Sequence, residues 1–404
     1  MKIIEGGVCA AKGFTANGIH CGIRKSKDKK DLALIASEVP AACAAVYTTN
    51  LVKGAPILVD QEHLADGRAQ AIICNSGNAN TCNANGIQIA EQMAALTAEK
   101  LGIRPEDVVV ASTGVIGQPL DIQPVAQGME ALVRGLNRNG SSDATEGIMT
   151  TDTVQKNIAV EFEIAGKTCR IGGIAKGSGM IHPNMATMLV FITSDVNICP
   201  EMLQKALSGD IQNTFNMLSI DGDTSTNDTV VVMANALAGN PEIREEGEDF
   251  TAFMKALNTV NVALCRMIAA DGEGATKLLE CRVKGCRDEA AAKTAAKSVI
   301  CSSLLKAAMF GADANWGRVM CAIGYSGADV DVTKADVAFQ SSAGCIEVCR
   351  QGSSLDFSEE LAKEILLKDE IEILVDLHDG EASATAWGCD LTYDYVKING
   401  DYRT

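Results

Sequence analysis

KGSGMIHPNMATMLVFITSD, residues 176 to 195, joins a glycine-containing loop to an apolar run, with Thr187 at the junction. Gly177 and Gly179 let the loop bend, and the apolar run predicts a strand running into the interior. Thr187 is flanked by Met185, Ala186, Met188 and Leu189. In such surroundings a threonine is ordinarily a β-favouring residue at a strand edge. A second reading makes its hydroxyl a nucleophile.

Working outward, helical and extended patterns alternate along the chain. Asn85 to Gly102 places Ile89, Met93 and Leu96 on one helical face and ends on glycine. VVVAS, 108 to 112, follows as a buried strand. Helices are expected over 200 to 218, 249 to 269, 288 to 308 and 359 to 367, and strands near 278 to 284, 343 to 349, 371 to 377 and 383 to 394. DGDTSTNDT, 221 to 229, is a polar loop feeding the strand TVVVMA, and EIREEGED, 242 to 249, is a solvated turn. The mixture predicts an α/β or α+β layered fold, with sheets sandwiched by helices.

Composition narrows the function. The 404 residues, 47% of them hydrophobic, suffice for a large core. Lys and Arg number 35 against 52 Asp and Glu, a net charge of −17, which disfavours nucleic acid and anionic membrane surfaces and leaves small molecules as the expected partners. The 15 cysteines include no C-x-x-C pair, so they read as thiols in a reducing compartment rather than as a disulfide framework or a zinc site. MKIIEGGVCAAKGF has Glu5 and two glycines where a secretory apolar core would lie, and no apolar run approaches a membrane span. The expected location is the cytoplasm.

The chain has four histidines: His20, His63, His182 and His378. None sits in a G-x-S-x-G elbow, and His182, the nearest to Thr187, also reads as a loop histidine held by backbone bonds. A hydroxyl can instead be activated by its own residue's free α-amine, which titrates near neutrality. Cleavage of the Ala186–Thr187 bond would free that amine: Thr187 Oγ attacks the preceding carbonyl and the resulting ester hydrolyses. ASTGVIG, 111 to 117, offers a hydroxyl (Thr113) and an amide (Gly114) as an oxyanion pair, or is a plain turn. NSGNAN, 75 to 80, and GADANWGR, 311 to 318, are amide-rich loops or hydrogen-bonded turns. GEGATK, 272 to 277, lacks the spacing of a phosphate-binding loop.

In order along the chain, TTNLVKGAPI (48–57), NSGNAN, ASTGVIG, MTTDT (149–153), KGSGMIHPNMATML (176–189), DGDTSTNDT, DGEGATK (271–277), GADANWGR and YVKINGDYRT (395–404) resemble the glutamate N-acetyltransferase / ornithine acetyltransferase family of arginine biosynthesis. The resemblance implies self-cleavage at Ala186–Thr187 into an α chain (1–186) and a β chain (187–404), with Thr187 as nucleophile and Thr113 and Gly114 stabilising the oxyanion. It further implies substrate contacts from Thr150, Lys176, Thr187, Glu273, Asn399 and Thr404. The implied reaction moves an acetyl group from N-acetylornithine to glutamate through an acetyl-threonine ester, with no metal or prosthetic group. Acetyl-CoA is a co-substrate if the enzyme is bifunctional. The implied fold is related to self-processing aminopeptidases, and the processed chains would form an α2β2 or larger assembly. Lys176 and Glu273 suit the carboxylate and amine of an amino acid, or form an ordinary surface ion pair. A self-processing threonine amidase or aminopeptidase would share the nucleophile and pass the acyl group to water. A non-enzymatic amino-acid-binding protein would need no cleavage.

Overall fold

The computed structural model describes residues 1–182 and 188–400. Ala186, Thr187 and Thr404 lie outside the described residues. Among those described, a nine-stranded mixed sheet runs Lys2–Ile4, Lys156–Ile164, Lys167–Lys176, Leu189–Ser194, Thr229–Ala234, Leu32–Tyr47, Arg68–Asn75, Val108–Ser112, with Phe14–Ile19 also paired to Leu32–Tyr47. A seven-stranded sheet runs Ser353–Ser354, Gly344–Arg350, Asp336–Ser341, Glu370–Asp376, Leu278–Cys286, Ala382–Cys389, Leu218–Ser219. The first sheet takes strands from both sides of Ala186, whereas the second lies wholly beyond it.

The helix Glu248–Ala270 packs on Lys156–Ile164 and Lys167–Lys176 of the first sheet and on Ala382–Cys389 of the second. Phe253, Leu257, Val260, Leu264 and Ile268 recur at helical spacing and are fully buried, which is why this helix can join the two layers. Glu289–Cys301 packs on Leu278–Cys286 and Ala382–Cys389 through an alanine-rich face that permits close approach. On the far part of the first sheet, Gly86–Leu101 and Gln123–Arg134 cover Leu34, Ile73, Val108 and Val110. The layered α/β architecture is as expected, with a helical layer between the sheets.

Several element boundaries differ from the periodicity. The helix expected over 200 to 218 ends at Asp210, whose carboxylate accepts hydrogen bonds from Asn258 and Asn261. A 3-10 turn, Phe215–Met217, and the short strand Leu218–Ser219 complete that stretch. The helix expected over 288 to 308 is two, Glu289–Cys301 and Ser303–Phe310, because Ser302 turns extended and its hydroxyl caps the second helix at Leu305 N. The strand expected over 383 to 394 stops at Cys389, and Tyr393–Asn399 is helical. Gly86–Leu101 closes as predicted, on Gly102 in the left-handed region.

Candidate active site

One end of the nine-stranded sheet gathers the motifs. Lys176 is the last residue of its strand and pairs with Leu189, the first of the next; Leu189 in turn pairs with Thr229. Thr113 and Gly114 follow Val108–Ser112 directly. Thr113, Gly114, Thr150, Thr151, Lys176, Gly179, Met188, Asn227, Asp228, Glu273 and Asn399 thus line a single cavity of about 120 Å³. That is smaller than the ~300–1,000 Å³ of sites that enclose drug-sized ligands, and suits one amino-acid-sized molecule.

The turn at Thr113 is built by NSGNAN. Asn75 Nδ2 donates to Ser112 Oγ at 2.7 Å, its Oδ1 accepts from the Gly77 and Asn78 amides, and Thr113 N donates to Asn75 O at 2.9 Å. Ala79 N donates to Val115 O, closing the other side. Gly114 has φ +135°, and a Cβ there would stand 2.7 Å from Asn78 N, so this position takes only glycine without displacement. Asn227, from the polar loop, donates to Ala79 O at 2.6 Å and Ser112 O at 2.9 Å, and its Oδ1 accepts from the Thr81 hydroxyl. The turn ASTG and the amide-rich loop NSGNAN are therefore one hydrogen-bonded scaffold. GADANWGR opens the helix Trp316–Gly324 and contributes nothing to the cavity lining among the described residues.

Lys176 and Glu273 are 8% and 9% exposed, so they are not the surface ion pair their residue types suggest in isolation. Lys176 Nζ donates to Thr113 Oγ1 at 3.4 Å. A hydroxyl that accepts from an ammonium keeps its own proton free to donate elsewhere. Glu273 Oε2 accepts from Asn399 Nδ2 at 2.7 Å, which ties the C-terminal helix to the cavity, and a Cβ on Gly179 would stand 2.4 Å from the Glu273 carboxyl carbon. Thr150 and Thr151 both face the cavity, while Thr153 does not: its amide and hydroxyl donate to Asp271.

His182 accepts or shares a hydrogen bond with Ser219 Oγ at 3.0 Å and lies 3.5 Å from Cys301 Sγ. Burial, reinforced by the nearby Lys297 charge, pushes its imidazole down to about 4, so it is neutral near pH 7. Asp228, which the sequence reading passed over, is buried against the cavity; burial raises its carboxyl well above the usual carboxylate range, and among the described residues its Oδ2 has no hydrogen-bond partner. Asp152, Lys156 and Asp271 were also missed as site residues. Asp152 and Asp271 stand inside MTTDT and DGEGATK, but nothing marks Lys156, a polar residue at the head of an otherwise strand-like run.

Residues 15–404 match the ArgJ family. The chain is 52% identical over 405 residues to the arginine biosynthesis bifunctional protein ArgJ of Caldanaerobacter subterraneus, covering 100% of both, and 52% identical over 392 residues to ArgJ 1 of Clostridium acetobutylicum, covering 97% of this chain and 96% of that one. A crystal structure of the argJ protein from Bacillus halodurans matches with 48% identity and a TM-score of 0.51, covering 54% of this chain and 100% of that one. Among the described residues no helix is long and apolar enough to cross a membrane. With relatives half identical along the whole chain and several of the quoted motifs meeting at one cavity, this protein belongs to the ArgJ family and is an acyltransferase of arginine biosynthesis.

Proposed function

We propose that the cavity at the sheet end is where the acetyl group of N-acetylornithine is passed to glutamate, with Thr187 as the relay. The observation that carries this reading is the meeting of the Thr113 hydroxyl, the Gly114 amide and the buried Lys176 and Glu273 in one cavity, beside the strand that follows Thr187 in the sequence. Cleavage at Ala186–Thr187 would divide the chain into 1–186 and 187–404. The Bacillus halodurans chain is consistent in length with that division: matched over its whole length, it spans 54% of this chain, a share equal in size to residues 187–404.

Freed by cleavage, the Thr187 amine takes the proton from Oγ as Oγ attacks the acetyl carbonyl carbon. The oxyanion of the tetrahedral intermediate receives the Thr113 O–H and the Gly114 N–H. The C–N bond breaks, the proton passes from the Thr187 ammonium to the departing nitrogen, and ornithine leaves an acetyl ester on Thr187. The α-amine of glutamate then attacks that ester through a second oxyanion on the same donors, and Thr187 Oγ recovers its proton as N-acetylglutamate forms. Lys176 would bind the carboxylate of either amino acid and Glu273 an amine, with Thr150, Asn399 and Thr404 completing the contacts. No metal or prosthetic group takes part, because the threonine supplies the covalent step; acetyl-CoA would load the same oxygen from its thioester. The cytoplasm, with its arginine precursors, is the setting, and an α2β2 or larger assembly is the state in solution. The test is to supply N-acetylornithine with and without glutamate. Ornithine and N-acetylglutamate should form together; free acetate instead would make the protein a hydrolase.

A further inference from the structure

Beside the cavity lies a buried charge cluster, Asp152, Lys156 and Asp271, whose members are not themselves among the lining residues described. Lys156 opens the strand Lys156–Ile164 and is 0% exposed. An unpaired ammonium at such a depth is costly, and Lys156 Nζ is paired twice: with Asp152 Oδ1 at 2.7 Å and with Asp271 Oδ2 at 2.5 Å. Each carboxylate in turn holds a loop. Asp152 Oδ1 accepts from Gly177 N at 2.7 Å and its Oδ2 from Thr150 N at 2.9 Å. Asp271 accepts from Thr153 N and Oγ1, its backbone oxygen accepts from Ser178 Oγ at 2.7 Å, and Ser178 O accepts from Glu273 N at 2.8 Å.

The loops so joined carry Thr150, Lys176 and Glu273, three of the groups that would grip the amino-acid end of a substrate. They come from distant parts of the chain, and the cluster crosses from one side of Ala186 to the other. We propose that Lys156 is a positioning residue: shared between Asp152 and Asp271, its ammonium sets the spacing of the Thr150, Lys176 and Glu273 loops and holds the two processed chains in register at the site. This rests on the reading of the cavity as an amino-acid site. Asp152 remains ionised for the purpose: burial works to raise its carboxyl, but the Lys156 and Lys176 charges and the Gly177 amide override it and hold it down at about 2.

A merely structural cluster would lower the melting temperature when broken and leave substrate affinity alone. A positioning cluster would act on KM, because substrate groups misplaced by a fraction of an ångström lose binding that the chemistry step does not need. Lys156→Met, Asp271→Asn and Ser178→Ala should each raise KM for N-acetylornithine and glutamate by about tenfold or more, with kcat at saturation within about threefold of the parent protein. Ser178→Ala leaves every charge in place, so it reports even if Lys156→Met does not fold. Intact-mass measurement of each variant confirms processing before kinetics. Unchanged KM in Asp271→Asn and Ser178→Ala, in a protein whose parent transfers acetyl, overturns the positioning role alone. Failure of the parent itself to transfer acetyl overturns the reading of the cavity and this role with it.

Discussion

Thr113→Ala removes the hydroxyl assigned to the oxyanion and little else. The side chain is half-buried, and among the described residues its hydroxyl accepts one long bond, from Lys176 Nζ at 3.4 Å. The Thr113 amide bond to Asn75 O, which fixes the turn, survives the change. Loss of such a bond and a partly covered methyl should cost roughly 1–2 kcal/mol of stability. At no more than about 4 °C per kcal/mol in a chain above ~150 residues, the melting temperature should fall by less than about 8 °C. In the proposed transition state the same hydroxyl would be one of two donors to a full negative charge, and removal of one such donor costs on the order of 10²–10³ in kcat. The assay is ornithine release from N-acetylornithine in saturating glutamate, alongside thermal melting. Thr113→Ser should restore most of the rate, since it returns the O–H. A loss in kcat below about tenfold, or a collapse of the fold with the rate intact per folded molecule, would refute the oxyanion assignment.

Three more outcomes are expected. Gly114→Ala forces a Cβ to 2.7 Å from Asn78 N at φ +135°; strain of about 1–3 kcal/mol and a displaced amide should abolish most turnover, and an alanine variant of normal activity would contradict the geometry of the turn. Glu273→Gln keeps the bond from Asn399 but removes the charge, so KM for glutamate should rise roughly ten- to hundredfold, as expected for loss of a charge-assisted contact, and an unchanged KM in steady-state kinetics would remove Glu273 from the substrate. His182 is held near 4 by burial and Lys297, below its ordinary 6.5, so below about pH 6.5 the unfolded chain takes up a proton that the folded one refuses. Stability is complete above that pH and declines as the pH falls toward about 4; melting curves of His182→Gln should show a shallower decline than the parent, and parallel curves would contradict it.

The fold was legible where periodicity and end signals agree, as in Gly86–Leu101 with Gly102 behind it. It was not where a tertiary bond interrupts a helical pattern, as when the Ser302 hydroxyl caps a new helix inside an alanine-rich run. The strand Leu32–Tyr47 carries Glu38 and Pro40 in its middle and slips register against Arg68–Asn75 between Ala36 and Ala41, so its length shows only in the paired sheet. Of the site, Thr113 and Gly114 were marked by their turn, Thr150, Lys176, Glu273 and Asn399 came from the family resemblance, and all six share one cavity. Burial was not readable: a lysine and a glutamate in polar loops look solvated until the sheet end closes around them. Nor was Lys156, because its function as a partner for two aspartates depends on a contact across 115 residues of chain.

The oxygen that carries the acetyl group decides the proposed reaction. The most direct measurement is to mix the protein with N-acetylornithine in the absence of glutamate, quench in acid and map the acetyl group by peptide mass spectrometry. The result predicted is one acetyl ester on Thr187, at the start of a separate polypeptide, discharged on adding glutamate. An acetyl group on any other residue, or an uncut chain that turns over at the full rate, would contradict it.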